Sequence, residues 1–336
     1  MAELTVCYEQ KGIHLPELGL WLDPATRQTG ADRVVISHGH ADHLGAHREV
    51  ILTEPTAWFM HARLNGKRLE HILPFGQSQA GQGPAGDYRL TLLPAGHVLG
   101  SAMAFIETKD ASLLYTGDFK LRAGLSAEPC APRPADILIM ETTFGRPQYR
   151  FPAPAELMPG VKSFCHTVLE AGKTPVLIAY SLGKSQDLLR GLGDAGLSLM
   201  VHAQVDKMTR IYRHFGQTFS PHAVFDAAQA ANKVLIWPPQ ADRTPLLALG
   251  SMVQTAMFTG WAVDPGFRFR SGADSAFPLS DHADFEELIE MVGQVKPRRV
   301  YTVHGFAADF AQTLRERGYD ARSLSEEDQL WLPLSP

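Results

Sequence analysis

The chain has 336 residues, 45% of them hydrophobic and 20% charged, enough for one large or two medium domains of roughly 100–200 residues each and incompatible with a largely disordered chain. A formal net charge of −5 excludes a surface coated in basic charge, although a local groove can still be positive. Three cysteines without a CxxC spacing (Cys7, Cys130, Cys165) exclude a disulfide framework and a zinc finger, and no apolar run reaches the ~20 residues of a membrane span.

The first twelve residues lack the apolar core of a signal peptide, so a cytoplasmic protein with no membrane partner is expected. Residues 1–22 alternate short β-type runs (LTVCY, GIHL, LGLWL) with turns, and Asp23 closes the third run. Arg33 to Ser37 is a short, largely β-branched run that predicts a buried strand. It leads directly into HGHADHLGAH. Further strands are predicted over Tyr88–Leu93, Ala102–Thr108, Ser112–Tyr115 and Ile137–Met140. His97, Asp118 and Glu141 follow three of these within a few residues.

The character changes near residue 150. RPQYRFPAPAELMPG holds four prolines and is predicted to be a linker. Thr174–Ala179 predicts a strand and Ser181 onwards a helix, together an α/β unit. Val234–Trp237 predicts another short strand. Near 265 the chain is expected to return to the first unit. Ser280 or Asp281 is predicted to cap a helix, in which Phe285, Leu288, Ile289 and Val292 form one apolar face. Arg299–Val303 predicts a strand ending at His304. No internal repeat or low-complexity tract is visible.

His38, His40, Asp42 and His43 fall within six residues just after a strand. Imidazole and carboxylate are the usual nitrogen and oxygen ligands of zinc and similar ions. A single histidine is most often a solvated or core side chain, but HxHxDH at a strand end is a strong metal signal. His97, in PAGHVLG, and Asp118, in YTGDF, are weak alone and gain weight beside that cluster.

The order HxHxDH, isolated GH and TGD resembles the metallo-β-lactamase superfamily. ETTFG at 141–145, SDHADF at 280–285 and VHG at 303–305 resemble motifs A, B and C of its β-CASP nucleases, and AYSLGKSQDLL at 179–189 resembles a β-CASP cap segment. The resemblance implies an α/β fold: an αββα sandwich formed by 1–150 and 266–336, with an α/β cap inserted over 151–265. It also implies two divalent metal ions, zinc by default and manganese as the alternative. His38, His40 and His97 would bind one ion, Asp42, His43 and His304 the other, and Asp118 would bridge them. Asp23 would support the ligand loop, while His282 would serve the leaving oxygen with Glu141 hydrogen-bonded to it.

The stretch from Thr259 to Leu288, with VHGF and LRERGYDA, resembles the bacterial ligase-associated DNA exonucleases. A nuclease that uses a metal-activated hydroxide is therefore expected. DNA is favoured over RNA, a role in DNA repair is implied, and a DNA ligase and a helicase are the implied functional partners. The alternative is a β-CASP ribonuclease of the mRNA 3′-end-processing type, since the DNA-repair branch usually carries Val where this chain has His304. A small-molecule hydrolase leaves motifs A and B unexplained, and a dead scaffold would have lost ligands. For substrate contacts, Lys184 at a helix start suits a phosphate. Lys207, Arg210 and Arg213 share one helix face and Tyr212 could stack on a base, although a solvated charged face is the plainer explanation of these four.

Overall fold

The computed structural model describes residues 4–247 and 249–324. The ends of the expected first unit, 1–3 and 325–336, lie outside the described residues. Short apolar and β-branched runs build two sheets. The first takes β1 (Cys7–Glu9), β2 (Gly12–Leu15), β3 (Leu20–Leu22), β4 (Arg33–Val35), β5 (Glu49–Leu52) and β6 (Leu69–Ile72), in that order. The second is seven-stranded. Its order is β19 (Asp320–Ser323), β18 (Arg299–Val303), β11 (Ile137–Glu141), β10 (Ser112–Tyr115), β9 (Ala102–Glu107), β8 (Gly86–Pro94) and β7 (Ser78–Gly83).

The two sheets pack face to face. Ile13, Leu15, Leu22, Val35 and Ile51 of the first meet Leu90, Leu92, Ile106, Leu113, Ile139 and Val303 of the second. Helix α1 (Glu54–Arg63) covers the outside of the first sheet through Ala57 and Met60. Thr53 starts α1 by accepting the Thr56 N–H, and Pro55 sits in the first turn, where its missing N–H costs nothing. Helices α7 (Phe285–Val295) and α8 (Ala307–Glu316) cover the outside of the second sheet through Phe285, Leu288, Met291, Phe310 and Leu314. Each such side chain contributes about 1.5–3 kcal/mol by leaving water. The result is the αββα sandwich.

Between β11 and β18 the chain builds an inserted α/β unit. Its sheet runs β14 (His222–Val224), β13 (Leu199–Val201), β15 (Val234–Trp237), β12 (Thr174–Ile178), β16 (Val253–Phe258) and β17 (Ser275–Phe277). All its pairings are parallel, so both faces need cover. Helices α2 (Pro154–Glu170) and α3 (Lys184–Gly191) bury Leu157, Val161, Leu188 and Leu189 on one face. Helix α4 (Ala203–His214) reaches across to α1, and the short helices α5 (Thr244–Leu247) and α6 (Phe267–Ser271) complete the unit.

Several expectations are corrected. The proline-rich stretch 146–160 is not a linker throughout, because α2 begins at Pro154. Pro154 occupies the first helical position, where proline is pre-organised, and Pro159 forgoes one ladder bond inside a helix held by packing. The helix expected from Ser181 starts at Lys184. The expected return at residue 265 falls inside the inserted unit, since β17 pairs with β16 beyond it. The cap of α7 is Asp284, not Ser280 or Asp281. Asp284 and Glu287 bond each other's backbone N–H groups at 3.0 Å, a reciprocal capping box.

Candidate metal centre

Strand direction gathers the candidate residues at one edge. β10, β11 and β18 are mutually parallel, with Tyr115 beside Ile139 and Glu141 beside Val303. Asp118, Glu141 and His304 therefore emerge at the same end. β8 runs in the same sense, because β9 is antiparallel to both β8 and β10, which brings His97 there too. In the facing sheet β3 and β4 are parallel, and the chain leaves them toward Asp23 and His38. Gly96 makes the approach to His97 possible: its φ is 78°, and a Cβ there would sit 2.2 Å from the Lys120 carbonyl.

His38, His40, His97 and Asp118 each offer a ligand atom within 4.8 Å of the others. Hydrogen bonds fix which nitrogen is bare. Ser37 Oγ donates to Asp23 Oδ2, so it accepts the Nδ1–H of His38 at 2.9 Å. That leaves His38 Nε2 buried without a hydrogen-bond partner, 3.4 Å from Asp118 Oδ2. His97 Nδ1–H donates to the Asp281 carbonyl at 2.8 Å, and His40 Nε2–H donates to the Leu182 carbonyl at 3.2 Å. The other nitrogens of these two rings, His97 Nε2 and His40 Nδ1, lie 2.9 Å apart. In the neutral rings both are lone pairs. Buried polar atoms are normally paired, so an orphaned nitrogen beside two facing lone pairs and a carboxylate fits a cation.

Burial keeps these rings neutral, as metal ligation requires. His38 is held well below the ordinary histidine range by burial and then by His43, and His40 is pushed down to about 3 by burial and then by His97. Burial lowers His97 and His304 as well.

A second group forms around Asp23, His38 and His43. Asp23 accepts from the Ser37 N–H at 2.7 Å, from Tyr115 Oη at 3.0 Å and from His43 Nδ1 at 2.9 Å. It orients His43, whose Nε2 lies 3.4 Å from Asp118 Oδ2. Burial opposes a charge on His43, but Asp118 and Asp23 outweigh it and raise its pKa well above the usual range. Asp118 itself is held well below the carboxylate range, because His43, His282 and His38 outweigh its burial. His304 stands beside His43, ring centroids 5.8 Å apart. Asp23 (φ 48°) and His304 (φ 60°) both take left-handed backbone, a strain of about 1–3 kcal/mol that tends to collect at functional sites. Asp42 is placed differently: its carboxylate is 3.9 Å from His43 Nε2 and its side chain is 80% exposed.

Beside both groups lies His282. Its Nδ1–H donates to Glu141 Oε1 at 2.9 Å, and the same nitrogen is 4.0 Å from Asp118 Oδ2. Burial opposes its charge, but Glu141 and Asp118 prevail and lift its pKa to about 9. Glu141 is 1% exposed and also receives the N–H groups of Phe119 and Thr143.

Two candidate substrate contacts, one suggested for Lys184 and one weighed for Tyr212, are not available. Tyr212 is fully buried and its hydroxyl accepts the Leu99 N–H at 3.3 Å, so it cannot stack on a base. Lys184 is buried against the Asp281 carboxylate rather than free for a phosphate. Lys207 donates to the Ala62 carbonyl, and Arg210 pairs with Asp206 at 2.7 Å. The sequence reading missed Asp281 and the Leu182 carbonyl, since neither a plain aspartate nor a backbone oxygen signals itself.

No helix among the described residues is long and apolar enough to cross a membrane. Residues 29–190 match the model of the metallo-beta-lactamase superfamily, and 275–324 match the Zn-dependent metallo-hydrolase RNA specificity domain. A "Probable DNA ligase" of Opitutus terrae is 49% identical over 96% of this chain and 31% of its own length. An "RNase J-like protein" of Methanocaldococcus jannaschii is 26% identical over 54% of this chain and 48% of its own length. A "5′ exonuclease Apollo" of Gallus gallus is 26% identical over 82% of this chain and 59% of its own length. The chain thus spans between about a third and three fifths of these curated relatives. With its HxHxDH, GH and TGD motifs at the sheet edge and its α/β insertion between β11 and β18, the chain belongs to the metallo-β-lactamase superfamily, with the β-CASP arrangement of domains.

Proposed function

We propose that the protein is a metal-dependent DNA exonuclease of DNA repair. The observation that carries the hydrolytic reading is the Glu141–His282 pair set 4.0 Å from Asp118, at the edge of the histidine cluster. His38, His40 and His97 would hold one divalent ion, His43, His304 and Asp42 a second, with Asp118 between them. Asp42 would have to turn inward from its exposed position. Zinc suits the nitrogen-rich donor set, and manganese can occupy the same ligands. When bound, such a pair lowers the pKa of water and offsets charge on phosphate oxygens.

The chain's own residues handle the leaving group. With a pKa near 9, His282 carries its proton at neutral pH. Its Nδ1–H is committed to Glu141, so the Nε2–H is the proton available to the departing sugar oxygen. Glu141 stabilises the charged ring before transfer. Asp23 is a positioning residue: it fixes the tautomer of His43 and touches nothing that reacts.

DNA is favoured by the relative named as a DNA ligase, which aligns with 96% of this chain. Action beside a ligase accords with that likeness, and a helicase is proposed as a further functional partner. The RNA specificity match over 275–324 favours the second reading, a β-CASP ribonuclease. End-labelled linear and circular DNA, and RNA of the same sequence, digested with Zn²⁺ or Mn²⁺, separate the two. The expected result is stepwise shortening of linear DNA with circles and RNA intact. Cleavage of RNA alone would replace the reading with the ribonuclease.

A further inference from the structure

Two imidazoles of the three-histidine group take their orientation from outside the motifs that carry them. His40 Nε2–H is held by the carbonyl of Leu182, in the loop between β12 and α3 of the inserted unit. His97 Nδ1–H is held by the carbonyl of Asp281, where the chain leaves that unit. These two anchors are themselves joined. The Lys184 ammonium, two residues beyond Leu182, binds Asp281 Oδ1 in a pair whose side chains are 5% and 3% exposed.

The surroundings pack closely against this junction. Gly183 has φ 90°, and a Cβ there would stand 2.8 Å from Val98 Cγ1 and 2.9 Å from Asp281 Oδ2. The loop therefore packs directly on the residue after His97. Lys120, two residues after Asp118, donates from Nζ to the Ser280 carbonyl at 2.7 Å. Asp187 of α3 accepts from Ser126 Oγ at 2.6 Å. Lys120, Lys184, Asp187 and Asp281 are thus all buried at the junction between the units. Breaking one partner of a buried pair leaves an uncompensated charge, so this junction resists small displacement.

We propose that Lys184 and Asp281 are positioning residues of the metal centre, a latch through which the inserted unit sets the tautomer and aim of His40 and His97. The unit then does more than cover substrate: its docking and the affinity of the three-histidine site are one equilibrium. The inference rests on the metal-centre reading. Partners behind a ligating histidine typically change metal affinity by about 10–100-fold when removed.

The test is Co²⁺ binding to the whole chain, read by the visible absorption of the bound ion and by competition with a chelator. Lys184→Met is expected to weaken the tighter-absorbing site by about 10–100-fold and to shift its absorption bands. Lys184→Arg, which keeps the charge, is expected to recover most of the affinity. Gly183→Ala is expected to act like Lys184→Met by pushing the loop from Val98 and Asp281. Lys207→Ala removes a different contact between the units, to the Ala62 carbonyl, and is expected to bind Co²⁺ as the unaltered protein does. If Lys184→Met does not fold, Lys184→Arg and Gly183→Ala carry the comparison. Unchanged spectra and affinity in whichever of Lys184→Met and Gly183→Ala fold overturn the proposal, as does an equal loss in Lys207→Ala. Failure of the unaltered protein to bind Co²⁺ overturns the metal-centre reading instead.

Discussion

His282 Nδ1 donates to Glu141 Oε1 at 2.9 Å although the two residues are 141 positions apart. Glu141 ends a strand of the second sheet and His282 precedes α7, so the pair joins the two ends of the segment that carries the insertion. Burial opposes a charge on His282, and Glu141, ahead of Asp118, raises its pKa to about 9. Replacing His282 with Ala is expected to lower kcat by about 10²–10⁴-fold, with bound metal measured by atomic emission unchanged. Glu141→Gln keeps the hydrogen-bond shape and removes the charge. It is expected to cost part of the same factor and to move the alkaline fall of kcat to lower pH. An unchanged kcat in His282→Ala would remove this residue from the chemistry.

Asp118 touches both halves of the centre, 3.4 Å from His38 Nε2 and 3.4 Å from His43 Nε2. Chelation is expected to abolish hydrolysis, and Zn²⁺ or Mn²⁺ to restore it. Asp118→Asn is expected to bind fewer ions per chain and to remain inactive at any metal concentration that saturates the unaltered protein. Full turnover in Asp118→Asn would contradict the bridging role.

The strands and the histidine-rich candidate site were legible because their signals are local. A β-branched run such as Arg33–Val35 states its own burial, and HxHxDH states its own chemistry. β7, with the sequence SQAGQG, was missed because it carries no apolar alternation. It exists through pairing with β8, from Ser78 beside Thr91 to Gly83 beside Gly86. The helix over 154–170 was hidden by its prolines. Tyr212 and Lys184 looked exposed because the atoms that bury them are remote in sequence: Leu99, 113 positions away, and Asp281, 97 positions away. Periodicity cannot see such partners. Asp42 shows the opposite case, a residue whose motif is clear and whose side chain nevertheless points mostly to solvent.

His47 gives a pH dependence separate from the metal centre. Its Nε2–H donates to the Pro24 carbonyl at 2.9 Å, and its Nδ1 accepts the Gln28 N–H at 3.2 Å. That arrangement needs the neutral ring, and burial lowers its pKa in the fold despite the Pro24 bond. Below the ordinary value of 6.5 the unfolded chain takes up a proton that the folded ring refuses. Its contribution is therefore complete above about pH 6.5 and falls away as pH drops toward the folded value. Urea unfolding of the unaltered protein and of His47→Gln between pH 5 and 8 should show a stability gap that narrows in acid. A gap independent of pH would sink this account.

Asp284 ties the return segment to three partners while 2% exposed. Oδ1 accepts the Glu287 N–H at 3.0 Å, and Oδ2 accepts Arg122 Nη2 and the Phe151 N–H, each at 3.0 Å. The first bond starts α7, the Phe151 bond holds the entry to the inserted unit against its exit, and the Arg122 bond ties both to the loop before β11. Asp284→Ala loses a helix cap, worth about 0.5–2 kcal/mol. It also strands a buried N–H, worth about 1–3 kcal/mol, so a loss of about 1.5–5 kcal/mol is expected from urea unfolding. Asp284→Asn keeps the cap oxygen but turns an N–H toward Arg122 or Phe151, and is expected to recover less than half of that. Because the Asp284 carboxylate bonds Glu287, Arg122 and Phe151 and none of the candidate ligands, the folded fraction of Asp284→Ala should still bind metal. A variant that matched the unaltered protein in urea would show that Glu287 alone secures the start of α7.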